Sequence, residues 1–266
     1  MPLAVCATPI GNLDDVTLRV LAELREADVV LAEDTRHTRG LLERHGIAAR
    51  LVSYHEHNEA ARVAELLPRL EAGERVAVVS DAGMPGISDP GGRLVRAALD
   101  AGVAVTVLPG PSAVETAVVA SGLVSERYAF VGFLPRRAAE LEALWAELAV
   151  WHWPVVAFES PRRLPATLRS LAVAAPEREV AVCRELTKRF EEVVRGTAAA
   201  LAERFAEPVK GEVTLVLGPG ATKSRGVDAG AAVADLVAAG TPRRAAAEVV
   251  ARLTGVARNE LYRGSL

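Results

Sequence analysis

Cysteine, lysine and aromatic residues are scarce in this sequence, and no long apolar run occurs. The two cysteines, Cys6 and Cys183, stand far apart, too few for a disulfide framework or a cysteine-based zinc site. Lysine occurs only at Lys188, Lys210 and Lys223, so the basic charge is almost all arginine, and aromatic residues make up just 4%. No apolar stretch reaches the ~18 residues of a membrane span. The first residues have no basic region before their short apolar run, so they do not read as a signal peptide. Basic excess is also missing: the formal net charge is −3 over 266 residues, and global charge announces no nucleic-acid partner. What is present is a chain 50% hydrophobic, long enough for two small domains with a sizeable core. The expectation is a soluble, cytoplasmic, globular enzyme with no membrane partner.

In the first half, short apolar runs alternate with helical patterns. Apolar runs cover 3–10, 29–32, 50–54, 76–80 and 103–108; helical spacing covers 16–27, the region of Leu41 and Leu42, 59–70 and 94–99. This predicts a parallel α/β sheet buried on both faces. Ligands of such sheets collect at the carboxyl ends of strands. A second alternation begins near Tyr128, with apolar runs at 155–158, 180–183 and 213–217 and helices over 164–171 and 198–205. A linker composition follows at 218–226, and the remainder reads as helical. The predicted units are an α/β domain over 1–122, a second over 123–220 and a helical tail over 228–266.

The stretch VVSDAGMPGISDPGGRLV, residues 78–95, carries the first chemistry. It has no lysine for a phosphate-binding loop and lacks the G-x-G-x-x-G spacing of a dinucleotide fold. Asp81 and Asp89 repel a polyanion at close range. A cationic ligand with hydroxyls fits better, such as S-adenosylmethionine with its sulfonium, ammonium and ribose diol. Asp81 is read as facing the ligand. Asp89 is read as the N-cap of the next helix, with Pro90 at its first position. At LPGPSAVETA, residues 108–117, Gly110 permits a tight turn and Ser112 offers a hydroxyl at a helix start.

The segments ATPIGNLDDVTLRVL, LAEDTRHTRGLL, SYHEHNE, SDAGMPGISDPG, LPGPSA, FVGFLPR, FESPRR, CRELTKRFEE and KGEVTLVL occur in this order. Together they resemble the tetrapyrrole-methylase superfamily, and within it the bacterial 16S ribosomal RNA (cytidine 2′-O)-methyltransferases. The likeness spans about 7–217. It implies two α/β domains of tetrapyrrole-methylase type, an S-adenosylmethionine cleft between them, and usually a homodimer. It implies methyl transfer to a cytidine ribose 2′-hydroxyl in the decoding centre of 16S ribosomal RNA. Cofactor contacts carried over by the resemblance fall on Pro9, Ile10, Asp81, Gly83, Met84, Ser112 and Ala113, and in the second domain on Phe158, Leu186 and Thr214.

A ribose hydroxyl is a weak acid, so a base or a cation near it helps transfer. The strand-end candidates are Glu33, Asp34, Arg36, Glu159, Arg184, Glu185 and Lys188. The preferred catalytic pairs are Asp34 with Arg36 and Glu185 with Lys188; each is alternatively an ion pair of little consequence. His55 and His57 lack the further convergent ligands a metal needs, and no metal site is expected. Arg136, Arg137, Arg162 and Arg163 are candidate phosphate contacts.

From Lys223 onward seven basic residues face four acidic ones, a balance of +3 against −3 for the whole chain. That asymmetry suits a nucleic-acid-binding appendage. Thr241 and Pro242 start a helix bearing Arg243 and Arg244, Gly255 breaks it, and a short helix follows, giving a helix-turn-helix-like, RNA-binding tail. Packing or dimerisation is the alternative use of such a tail. The expected partner is 16S ribosomal RNA or the assembled small subunit. The alternatives are methylation of a tetrapyrrole or other small molecule on the same scaffold, and a binding module without catalysis.

Overall fold

The computed structural model describes residues 2–124, 126–220, 229–254 and 257–264. In the first half, strands β1 (Leu3–Cys6), β2 (Val29–Ala32), β3 (Leu51–Ser53), β4 (Val76–Val79) and β5 (Val105–Leu108) alternate with five helices. These are α1 (Leu18–Glu26), α2 (Thr35–Arg44), α3 (Glu59–Glu71), α4 (Gly92–Asp100) and α5 (Ala113–Ser121). The sheet order is β3-β2-β4-β1-β5, with every pairing parallel. β1, β2 and β4 are buried along their whole length. One apolar cluster covers each face, around Val20, Leu24 and Leu42 on one side and Leu66, Leu70 and Leu94 on the other. Burial on both faces explains why these strands read as continuous apolar runs without alternation.

The second half is built differently. Strands β6 (Ala129–Phe133), β7 (Val155–Glu159), β8 (Glu179–Arg184), β9 (Glu192–Thr197) and β10 (Val213–Leu217) form a sheet of order β6-β7-β10-β8-β9. Only β6 and β7 pair in parallel; β10 runs antiparallel to β7 and β8, and β9 antiparallel to β8. Helices α6 (Ala138–Leu148), α7 (Leu164–Ala174) and α8 (Ala198–Arg204) accompany it. Strand β9 had no signal in the sequence: it is an edge strand, only partly buried along its length, and its charges hide any alternation.

Helix α5 belongs to both halves. Ser112 caps its start, and Gly122, at φ 68°, closes its end in the left-handed conformation that glycine tolerates. Its Val114 and Ala117 pack with Val156, Ala181, Cys183 and Val216 of the second sheet in one apolar cluster. Arg195 of β9 donates to the carbonyls of Ala120 and Ser121 at the end of the helix, where the helix dipole favours a cation. The two sheets are thus fastened through α5.

Among the described residues the tail holds three helices, α9 (Ala229–Ala238), α10 (Arg243–Thr254) and α11 (Arg258–Gly264), around a small core of Val233, Ala246, Ala247, Val250 and Leu261. Residues 221–226 of the expected linker 218–226, and the break at Gly255, lie outside the described residues. Among the described residues, no helix is long and apolar enough to cross a membrane.

Candidate active site

The carboxyl ends of the parallel strands open onto one cavity of about 450 Å³, within the range of small-molecule sites. The first half contributes Ile10 after β1, Glu33 after β2, the loop from Asp81 to Asp89 after β4, and Ser112 to Val114 at the start of α5. The second half contributes Phe133 at the end of β6, the run from Phe158 to Pro161 at the end of β7, and the stretch from Gly211 to Thr214 at the start of β10. Carboxylates come from both halves, Glu33, Asp81 and Asp89 from the first and Glu159 and Glu212 from the second, beside apolar and aromatic side chains that include Ile10, Met84, Phe133 and Phe158.

The loop after β4 is pinned at both ends. Gly83 and Thr8 exchange backbone hydrogen bonds at 2.8 and 3.0 Å, and Gly83 holds φ +78°, where a side chain is strained. Asp81 Oδ1 accepts the backbone N–H of Asp34 at 2.9 Å, tying the loop to the start of α2. Farther on, the Gly86 N–H donates to the Pro90 carbonyl at 3.1 Å and folds the loop on itself. Helix α4 therefore starts at Gly92, with Gly91 at the cap and no side-chain cap bond. The expected capping by Asp89 and Pro90 is corrected: Gly91 donates instead to Glu59 Oε1 at 3.2 Å, and Asp89 lines the cavity. Burial, reinforced by Glu33 and Asp81, pushes the Asp89 carboxyl up to about 6, against a hydrogen bond from Ser80. Burial and the charge of Asp81 also raise Glu33, against the pull of His55.

Of the carried-over cofactor residues, Ile10, Asp81, Gly83, Met84, Ser112, Ala113, Phe158 and Thr214 all border this cavity. Pro9 and Leu186 do not. Pro9 borders a much smaller void with Thr8, His37 and Thr38, and Leu186 is buried in the cluster that joins the two sheets.

The preferred catalytic pairs fall outside the cavity lining, a correction with a clear physical reason. Asp34 caps α2, its Oδ1 accepting the Arg36 N–H at 2.8 Å. The Arg36 side chain, 90% exposed, closes a bidentate pair on the same carboxylate and holds it well below the usual carboxylate range. Such a group is a poor proton acceptor. Glu185 receives Lys188 Nζ at 3.0 Å and the Glu212 N–H at 3.0 Å. Burial opposes its charge, but these bonds outweigh burial and keep it below the usual range. Lys188 also pairs with Glu212 Oε2 at 2.8 Å, so this cluster fastens the turn between β8 and β9 to the start of β10. It reaches the cavity only through Glu212.

Sequence reasoning missed the roles of Phe133 and Glu212. Phe133 is 64% exposed, and its ring lies 5.3 Å from that of Phe158. A bulge in β6 between Phe130 and Phe133, with Gly132 at φ +70°, re-aims it toward the cavity. The glycine in FVGF was the available signal.

The arginine candidates divide. Arg136 and Arg162 are exposed, as is Arg137, which pairs with Glu140. Arg163 turns inward: it donates to the carbonyls of Leu134 and Pro135 and to Glu159 Oε2. That corrects its expected phosphate contact. Glu159 is only 1% exposed and also accepts from Thr167 and the Ser160 N–H. In the tail, Arg244 is exposed and Arg243 half-buried. Among the described residues, no group of three or more His, Cys, Asp or Glu is placed to hold a metal ion. Burial pushes the Cys6 thiol up to about 12 and Cys183 up to about 11, so neither supplies a thiolate.

Residues 2–202 match the family described as Tetrapyrrole (Corrin/Porphyrin) Methylases. A protein of Mycobacterium bovis named Ribosomal RNA small subunit methyltransferase I is 48% identical over 264 residues, covering 98% of this chain and 93% of its own length. The crystal structure of the methyltransferase CobJ superposes with a TM-score of 0.63 at 22% identity, covering 84% of this chain and 96% of that one. Uroporphyrin-III C-methyltransferase from Thermus thermophilus, complexed with S-adenyl homocysteine, gives a TM-score of 0.56 at 20% identity, with 81% and 96% covered. At those identities the two structures speak for the fold.

Proposed function

We infer the activity from one premise: this chain belongs to the tetrapyrrole methylase family. It is an S-adenosylmethionine-dependent methyltransferase whose substrate is small-subunit ribosomal RNA, as the name of its close relative supports. The acceptor is the ribose 2′-hydroxyl of a cytidine in the decoding centre of 16S ribosomal RNA. The observation that carries this reading is the acidic and aromatic cavity at the strand ends, formed by a chain nearly half identical to a ribosomal RNA methyltransferase.

The donor set fits S-adenosylmethionine. Asp81 and Asp89 present negative charge to a sulfonium and an ammonium. Phe158, Phe133 and Val213 offer apolar surface to a flat base. When bound, the cofactor supplies an activated methyl group. The chain's own part is to seat and orient it, using Ile10, Asp81, Gly83, Met84, Ser112, Ala113, Phe158 and Thr214, and to keep water from the cleft. Exposed Arg136, Arg137 and Arg162 on the second unit, and Arg243 and Arg244 on the tail, meet phosphates. The division into units 1–122, 123–220 and 228–266 assigns cofactor to the first two and RNA affinity largely to the third. A homodimer completes the proposal: the outer edge of β5 carries Val107, 54% exposed, the kind of apolar margin a second copy covers. A cytoplasmic location follows from the substrate.

The test is incubation with methyl-labelled S-adenosylmethionine and unmodified small subunits, then mapping of the modified ribose. Label on one cytidine 2′-oxygen of the decoding centre is the expected result. Label on a tetrapyrrole or other small molecule, with the RNA unlabelled, contradicts it.

A further inference from the structure

Five carboxylates line the cavity: Glu33, Asp81, Asp89, Glu159 and Glu212. Four already have partners. Asp81 accepts the Asp34 N–H, and Asp89 faces the Ser80 hydroxyl. Glu159 is held by Ser160, Thr167 and Arg163, and Glu212 by Lys188. The Glu33 carboxylate has no hydrogen-bond partner among the described residues and borders the open cavity. Its backbone is fixed from both sides, by the end of β2 and by the Asp81 bond to the next N–H.

We propose that Glu33 is the general base of the reaction, taking the proton of the acceptor hydroxyl at the mouth of this cavity. The inference rests on the ribose 2′-O-methylation stated above. As the O–H bond breaks, its proton passes to a Glu33 carboxylate oxygen. The electron pair left on the ribose oxygen forms the new O–CH₃ bond, and the methyl's bond to sulfur breaks with its pair returning to sulfur. The positive sulfonium thereby becomes a neutral thioether, and the proton leaves Glu33 for solvent.

The charged groups facing Glu33 come from three elements. Asp81 stands at the end of β4, Asp89 in the loop beyond it, and His55 after β3. Burial and the charge of Asp81 disfavour its ionised form, while His55 favours it. The balance raises its pKa above the ordinary carboxylate value, which suits a proton acceptor. The pairs Asp34–Arg36 and Glu185–Lys188 lack this property, since each carboxylate is held ionised by its cation.

The test compares Glu33→Gln, Glu33→Asp and Asp34→Asn in the full chain. S-Adenosylmethionine affinity is measured by calorimetry, single-turnover methylation of unmodified small subunits across pH, and carboxyl titration of the cofactor-free protein by infrared difference spectroscopy. Glu33→Gln is expected to bind S-adenosylmethionine within about threefold of wild type and to methylate at least about 100-fold more slowly. It should also lose the acid-side fall in rate, and its infrared spectrum should lack one carboxyl that titrates above the ordinary range. Glu33→Asp restores part of the rate, and Asp34→Asn keeps it. Wild-type turnover in Glu33→Gln, an unchanged pH profile, or a tenfold loss of cofactor affinity overturns the assignment. Wild-type protein that binds cofactor but labels no ribose overturns the activity itself and the base with it, an outcome distinct from the others.

Discussion

Asp89 shows how a cavity-lining side chain is placed at the expense of the fold. Its carboxyl titrates near 3.8 ordinarily and at about 6 here, chiefly through burial. A raised carboxyl favours the protonated folded state. Its contribution is complete below pH 3.8 and is lost as pH rises through 6. Asp89→Asn therefore stabilises the protein at pH 7.5, by on the order of 1 kcal/mol after solvent screening of this partly exposed group, and leaves it unchanged near pH 3.5. Thermal melts of both proteins at the two pH values check this. The same variant weakens S-adenosylmethionine binding at pH 7.5, because an ionised carboxylate beside a sulfonium is what the site offers. Equal affinity in the variant removes Asp89 from the cofactor seat. The sequence placed Asp89 at a helix cap because Asp-Pro-Gly is a common helix start; the Gly86–Pro90 backbone bond that frees it links residues no local pattern connects.

Among the elements, strand β7 and helix α7 form the rigid back of the site. Glu159 ends the strand, buried, and Arg163 and Thr167, four and eight residues on, turn back to it from the ESPRR segment and the helix. Removing one partner of a buried charge costs more than an exposed ion pair is worth. Arg163→Ala is expected to lower stability by about 2–4 kcal/mol, read by urea unfolding, while Arg162→Ala, on an exposed side chain, leaves it within about 0.5 kcal/mol. Equal effects would show that the inward pairing carries no weight. The first sheet was legible: β1, β2 and β4 leave unbroken apolar runs because both their faces are buried, and the partly exposed edge strands β3 and β5 were placed by the same alternation with helices. The second sheet was legible only in part. Strand β9 is a half-exposed edge, and the antiparallel return of β10 is what brings Glu212 and Thr214 against the loop after β4. The favoured catalytic pairs show the same limit: a charged residue at a strand end is visible in sequence, but the cation that neutralises it is not.

At the scale of the whole molecule, the proposed cofactor cleft and the proposed RNA-binding surface are separable. The tail has its own small core, and among the described residues none of the tail borders the cavity. Deleting 228–266 is therefore expected to leave S-adenosylmethionine affinity within about twofold and to weaken binding to small subunits at least about tenfold, with a shallower salt dependence. Filter binding at two salt concentrations measures it; undiminished RNA affinity assigns the tail to packing or dimerisation instead. The central claim concerns the cleft where α5 joins the sheets. Its most direct measurement is calorimetric titration of the full-length protein, at pH 7.5 and at pH 5, with S-adenosylmethionine and separately with ATP. Saturable one-site uptake of S-adenosylmethionine, tighter at pH 7.5, with no heat from ATP, is what an acidic cavity predicts. Tight ATP binding with S-adenosylmethionine ignored would contradict it.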